Sequence, residues 1–380
     1  MTDVVVIGGG IVGCSAAAIL ADRGARVILV EGHAIGAGAS GRNLGAIQHP
    51  FDPVLAPLHT DSLTRYRALT GATDAFVIAP DPVGLLLLNR DADVAGAQAR
   101  RLALAWPDLH AELISAQEVS RLEPSLAPGL VAVRLATGYP IPPASATAAW
   151  AWLAQASGAE LVVGLTARPV VTDGRVTGVA LDDGTAIEAD AVLVAAGPWT
   201  PRLVDPTGAW APILPTWGVT LQLRLGAAAP RHIVEEDAVD GVNRADAATE
   251  RASREDDARE PPSLFSLASA DGISTLGSTF LPREPDPQHV APILLRRAAA
   301  FMPAIAEAEV VATRLCARPQ SVDGRPFIGP MASVEGLFVC AGHGPWGIST
   351  GPASAAIAAR AILDGTPPPA ELAADRPIVG

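Results

Sequence analysis

Lysine is missing from this 380-residue chain: every one of its 27 Lys-or-Arg positions is arginine. That absence excludes a pyridoxal Schiff base, a P-loop lysine and any other lysine catalyst. Cysteine is scarce. Cys14, Cys316 and Cys340 are odd in number and widely spaced, with no CxxC pair, so neither a disulfide framework nor a zinc site is indicated and no metal is expected. A positive balance is also lacking. The formal net charge of -13 argues against nucleic acid or an anionic membrane as the main partner. Long apolar runs are absent too. The stretch Val4–Ile7 stops at glycines and has no basic segment before it. It reads as neither a signal peptide nor a membrane span, and a soluble, cytoplasmic protein is expected. What the chain does have is 49% hydrophobic residues over a length ample for two domains, which excludes global disorder.

The most informative stretch is the first forty-five residues. Val4–Ile7 is continuously apolar, as a strand buried on both faces must be. Gly8-Gly9-Gly10-Ile11-Val12-Gly13 follows, then a helix to about Asp22, a second buried strand Arg26–Val30, and Glu31 at its end. The order strand, GxGxxG, helix, strand, acid is that of a dinucleotide-binding unit. Gly8 permits the tight turn, Gly10 lets a pyrophosphate approach the backbone, and Gly13 lets helix and strand pack closely. Amides at the helix start, around Ile11 and Val12, point at the phosphates. Glu31 would accept ribose hydroxyls, so FAD or NAD is preferred over NADP. In the small-residue stretch 36–45, Ser40 and Asn43 could bond a pyrophosphate or ribityl chain; a plain surface loop is the alternative.

Further on, Glu160–Val163 reads as a strand. A β-meander with turns at Asp173-Gly174 and Asp183-Gly184 comes next, then a buried strand ending in Ala196-Gly197-Pro198-Trp199. Residues 212–283 look like a second sheet. Within them, 235–262 is polar and mixed in charge, and reads as a mobile insertion, with an active-site lid as the alternative.

The stretches VVVIGGGIVG at 4–13, VEG at 30–32 and GASGRNLG at 38–45 resemble the D-amino-acid oxidase, glycine oxidase and sarcosine oxidase group of FAD-dependent oxidoreductases. Two more stretches carry the resemblance: the meander with its AAGPW end, and the C-terminal run from Arg314 to Gly329 followed by Gly342-His343-Gly344-Pro345-Trp346-Gly347-Ile348 and a helix. The resemblance implies an α/β fold: a discontinuous Rossmann-like FAD-binding domain (1–75, 144–205, 312–365), a mixed-sheet substrate domain (76–143, 206–311) and a C-terminal tail (366–380). It implies cofactor contacts from Gly8, Gly10, Ile11, Val12, Gly13, Glu31, Gly32, Ser40, Gly41, Asn43, Leu44 and Gly45. Ala167 would contact adenine through its backbone, and Gly197, Gly342, His343, Gly344, Trp346, Gly347 and Ile348 complete the set. A helix end directed at the flavin N1–C2=O edge would stabilise charge on the reduced ring.

Arg318 matches the family arginine that pairs with a substrate carboxylate, a task suited to the planar guanidinium fork; an internal ion pair is the other use of such a residue. His343 reads as a flavin-contact or backbone-organising residue rather than a catalytic base. The chain also departs from its relatives. Trp217 stands where many carry a basic residue, and Pro345 and Trp346 replace polar residues. An aromatic lining of Trp217 and Trp346 would favour a bulkier substrate than glycine, unless both are structural. Cys316 lies seven residues before Asp323, a spacing like that of the flavin-linking cysteine in sarcosine oxidases, so a covalent link stands as the alternative to non-covalent FAD.

The implied activity is dehydrogenation of the C–N bond of a small D- or N-substituted amino acid. The hydride goes to the flavin, and the imine hydrolyses to an oxo acid. The acceptor is oxygen or another oxidant, and the missing lysine argues for slow reaction with oxygen. The other readings are an FAD-bearing subunit of a hetero-oligomeric amino-acid dehydrogenase, and an NAD-dependent dehydrogenase.

Overall fold

The computed structural model describes residues 2–237 and 263–377. Its first layer is a six-stranded sheet built from β1 (Asp3–Ile7), β2 (Arg26–Glu31), β8 (Glu160–Val163), β12 (Ala191–Val194), β18 (Phe327–Pro330) and β19 (Leu337–Ala341). Their order is β18-β19-β12-β1-β2-β8, parallel throughout except for the β18–β19 pair. β1 lies in the interior, and successive residues serve opposite cores. Val4 and Val6 pack under the helices Ile11–Asp22, Ser145–Ala156 and Gly347–Asp364. Val5 and Ile7 pack toward a three-stranded sheet of β9 (Ala167–Thr172), β10 (Arg175–Leu181) and β11 (Ala186–Glu188). A strand covered on both faces has to be apolar at every position, which is why β1 shows no alternation.

The second layer is an eight-stranded sheet of order β17-β13-β16-β15-β14-β4-β6-β5. It comprises β4 (Leu85–Asn89), β5 (Glu112–Ile114), β6 (Val131–Leu135), β13 (Ile213–Arg224), β14 (Ile233–Glu236), β15 (Ser263–Ala270), β16 (Ile273–Thr279) and β17 (Glu309–Ser321). One face, with Val219, Leu221, Leu223, Leu267 and Leu276, packs on the helix Pro287–Ala299. The other face meets the first layer. A short bridge of β3 (Ala46–Ile47) and β7 (Tyr139–Pro140) lies where the chain passes between the layers.

Two sequence expectations change here. Residues from 312 were assigned to the FAD portion, yet β17 pairs with β13 along its length, from Ile213 against Ser321 to Arg224 against Glu309. Arg318 therefore belongs to the eight-stranded sheet. The predicted insertion 235–262 begins too early: Glu235 and Glu236 are buried residues of β14, paired in parallel with Leu87 and Leu88. They read as solvated because they are charged, but each has partners. Glu236 takes an ion pair from Arg297 and the Phe265 amide, and Glu235 bonds Gln48 and Ser266. The remainder of that segment, 238–262, lies outside the described residues. The C-terminal tail packs on the first layer. Ala373 bridges Ile328, Leu372 and Ala374 are buried, and Arg376 pairs with Asp323 while lying 3.5 Å above the Phe327 ring centroid.

Candidate active site

At the carboxyl edge of the six-stranded sheet, three segments converge. Gly8 turns with φ +113°, a value that L side chains rarely adopt, and a Cβ there would strike the Ala195 carbonyl. A Cβ on Gly13 would collide with the Gly8 carbonyl, so only glycine allows the helix Ile11–Asp22 to start this close to β1. The Glu31 carboxylate receives the Gly9 amide at 2.6 Å and the His33 amide at 2.9 Å, fastening the end of β2 to the glycine loop. Gly32 packs against Thr166, which places the start of β9, with Ala167, beside that edge. Gly197 follows β12 on the other side. A nucleotide with an extended pyrophosphate fits this cradle: bare backbone, a helix start and an acid at the next strand end.

The loop 36–45 closes over the same helix start. Ser40 Oγ accepts the Ile11 amide at 2.9 Å and keeps its own proton to donate. Asn43 does something other than the expected ligand bond. Its amide donates to the Ser40 and Pro143 carbonyls at 2.7 and 3.2 Å, and its Oδ1 accepts the Gly45 amide at 2.7 Å. It is a latch within the loop. Gly41 lies against the Gly36 carbonyl, and Leu44 packs on the second layer near Gly277. Arg314 binds the loop from the second layer, donating to the carbonyls of Gly41 at 3.3 Å and Asn43 at 3.0 Å. Arg42 reciprocates with the Leu315 carbonyl at 2.9 Å.

The loop Gly342–Gly347 returns from β19 into the helix Gly347–Asp364. His343 forms a bridge with Gln320, two residues beyond Arg318, and Gly344 sits against the Gln320 side chain. The helix start is held from several sides. Tyr66 Oη donates to the Ile348 carbonyl at 2.7 Å, and Ser349 Oγ accepts the Gln48 amide at 3.0 Å. His343 is 3% exposed, and burial holds its pKa down at about 4, so the ring is neutral. Its Nε2 has no hydrogen-bond partner among the described residues, and the same is true of Gln48 Oε1. Buried polar atoms left unpaired are uncommon and mark places where a ligand completes the structure. The residues present therefore fit a flavin dinucleotide.

Residues that pair directly across an antiparallel ladder share a face. Thr216, Gly218 and Thr220 of β13 pair with Arg318, Cys316 and Arg314 of β17. All of these look toward the 39–45 loop, as shown by the Thr220 hydroxyl on the Arg42 carbonyl. The Arg318 guanidinium lies across Gly218, where any side chain would displace it. It donates to the Thr279 carbonyl at 2.8 Å and to Ser278 Oγ, and sits 4.6 Å above the Phe280 ring centroid.

The two tryptophans do not form a common lining. Trp217 is one residue out of phase with Thr216 and Gly218, so it packs on the opposite face, with the core against Pro287–Ala299. Trp346 is 8% exposed and sits in the core of the six-stranded layer with Ile11, Val12 and Ala353. Cys316 is buried beside the Arg42 carbonyl. Burial raises its thiol pKa, although Arg318, Arg314 and Arg42 pull the other way. Sequence reasoning missed Gln48, whose buried Oε1 is left without a partner among the described residues. It had no recognisable motif around it.

Among the described residues there is no group of His, Cys, Asp and Glu able to hold a metal, and no helix is long and apolar enough to cross a membrane. The family described as FAD dependent oxidoreductase matches residues 3–361. A glycine oxidase of Pseudomonas aeruginosa is 30% identical over 368 residues, covering 92% of each chain. Among solved structures, glycine oxidase from Geobacillus kaustophilus superposes with a TM-score of 0.81 at 24% identity over 100% of both chains. Iminodiacetate oxidase from Chelativorans sp. BNC1 does so with a TM-score of 0.80 at 23% identity, over 97% of this chain and 98% of that one. These matches remove the NAD reading, and this chain belongs to the FAD-dependent oxidoreductase family, as an amino-acid oxidoreductase related to the glycine oxidases.

Proposed function

We propose that this protein dehydrogenates the C–N bond of a small D- or N-substituted amino acid, giving an imine that water converts to an oxo acid. The observation that carries this reading is Arg318. Its planar cation is spread over Gly218 on the sheet face that looks toward the flavin-side loops, and is oriented by Thr279, Ser278 and Phe280. A guanidinium held flat in this way is suited to a bidentate carboxylate. Bound FAD would supply the two-electron acceptor for the substrate α-hydrogen. The protein's share is orientation: Arg318 fixes one end of the substrate, and the layers on either side exclude water. His343, neutral and buried, is read as a polar contact to the cofactor rather than a proton acceptor. Binding of FAD is read as non-covalent, because the buried Cys316 stays a thiol and only a thiolate attacks well.

Anaerobic mixing with a panel of D-, L- and N-methyl amino acids tests the reading through bleaching of the flavin absorbance. Arg318→Ala should remove roughly 2–5 kcal/mol of binding or transition-state stabilisation, and Arg318→Lys should rescue it poorly. A loss below about tenfold, or ~1.4 kcal/mol, would remove Arg318 from the substrate.

A further inference from the structure

Thr216 is 1% exposed, and its hydroxyl has no hydrogen-bond partner among the described residues. The strand pattern fixes the face on which it lies. Val219, Leu221 and Leu223 of β13 pack in the core on the helix Pro287–Ala299, so Thr216, Gly218 and Thr220 look toward the first layer. Of the two threonines in that row, Thr220 has a partner: it donates to the Arg42 carbonyl at 3.2 Å. Thr216 stands directly across the ladder from Arg318. One row further along, Gln320 bridges His343 of the flavin-side loop. Thr216 therefore separates the guanidinium, which lies over Gly218, from the row that meets that loop.

The Arg318 side chain runs diagonally, from its own position opposite Thr216 to lie across Gly218. Its guanidinium donates to the Thr279 carbonyl at 2.8 Å and to Ser278 Oγ, both on the β16 side of β13. Gly218 and Thr216 are two residues apart on one face, about 7 Å along the strand. A carboxylate with one oxygen about 2.8 Å from a guanidinium nitrogen and the other about 2.6 Å from a hydroxyl spans that separation. A buried hydroxyl without a partner is destabilising. Beside a cation, the group that relieves it is an anion able to accept from both.

We infer that the Thr216 hydroxyl donates a hydrogen bond to the substrate carboxylate, beside the guanidinium of Arg318, and so positions the substrate. This rests on the amino-acid reading above. A carboxylate held by one guanidinium can still pivot about that contact. A second donor displaced along the strand fixes its rotation, and with it the direction in which the α-carbon projects.

The test uses the FAD-loaded protein under anaerobic conditions. Acetate and propionate serve as carboxylates that lack the amine, and glycine, D-alanine, sarcosine and L-proline as amino acids. Binding is followed by perturbation of the flavin spectrum, and reduction by bleaching. Thr216→Val keeps the shape of the side chain and removes the hydroxyl. It should weaken acetate and propionate by about tenfold, and raise KM for the reacting amino acids by a similar factor with kcat changed less. Thr216→Ser, which keeps the hydroxyl, should stay within about threefold of the unaltered protein. The Tm of ligand-free Thr216→Val should hold or rise, because a methyl group replaces an unpaired buried hydroxyl. Its dissociation constant for FAD should stay within about twofold. In an Arg318→Ala background Thr216→Val should cost less than in the unaltered protein, since both donors act on one carboxylate. Unchanged carboxylate affinity in Thr216→Val, or an equal loss in Thr216→Ser, would overturn the assignment and leave the amino-acid reading standing. So would a parallel loss of FAD affinity, which would put the hydroxyl on the cofactor instead. If the unaltered protein binds the carboxylates in a Thr216-dependent way but is reduced by none of the amino acids, the amino-acid reading fails and the carboxylate contact stands. If it binds neither set, both fail.

Discussion

Cys316 shows how little a spacing reveals until its neighbours are known. It lies seven residues before Asp323, but the side chain is buried under the Arg42 carbonyl, and burial outweighs three nearby guanidinium groups in setting its pKa. A thiol kept protonated is a weak nucleophile. Acid precipitation of the holoprotein should therefore leave a yellow supernatant. Flavin retained in the washed pellet, and released by Cys316→Ser, would show a covalent link instead. Trp217 makes a related point. Its chemistry was legible but its direction was not, because a one-residue change of phase moves a strand side chain to the other face. Asn43 is the third case: a polar residue in the right loop, whose amide is used to hold the loop itself.

At the scale of elements, the site depends on two helix starts lying side by side. Gly351 is in the first turns of Gly347–Asp364, and a Cβ there would sit 3.2 Å from Ile11 and 3.3 Å from Val12. Both neighbours are core side chains with little room to move. Gly351→Val should therefore cost about 1–3 kcal/mol by overpacking. By spreading the two helix starts it should also weaken FAD retention, with Gly351→Ala milder. Reconstitution of the apoprotein with FAD and the Tm of both variants check this. A Val variant with unchanged FAD affinity would show that the spacing of these helices is immaterial to the site. The β1-loop-helix unit was readable because its constraints are local: a turn at positive φ and a close helix–strand approach each demand glycine. β14 was not readable, since its glutamates are buried by strands β4 and β15, which are distant in the chain.

At the scale of the whole molecule, three histidines are buried in a neutral state. Burial holds His49, His59 and His343 each at about 4, below the usual 6.5, and His49 adds to the effect at His59. Between those two values the unfolded chain binds protons that the folded one does not. Stability should therefore be fully present above about pH 6.5, and fall as pH drops toward 4. His59→Asn should make the dependence of unfolding free energy on pH shallower by about one proton, ~1.4 kcal/mol per pH unit. Denaturant titrations of both proteins across pH 4.5–6.5, about the titration window of these groups, measure that slope. An unchanged slope would mean that His59 is protonated in the folded state.

The sequence alone determined the dinucleotide unit, because everything it requires falls within thirty residues: apolar β1, the glycines at 8, 10 and 13, and Glu31 at the end of β2. It also determined, through resemblance, that a C-terminal loop and helix return to that unit. Which sheet carries Arg318, which way Trp217 and Trp346 point, and what Glu235 meets were decided only by tertiary structure. Each depends on strand register between segments far apart in the chain. Register sets the face on which a side chain lies, and no local pattern encodes the partner across the ladder.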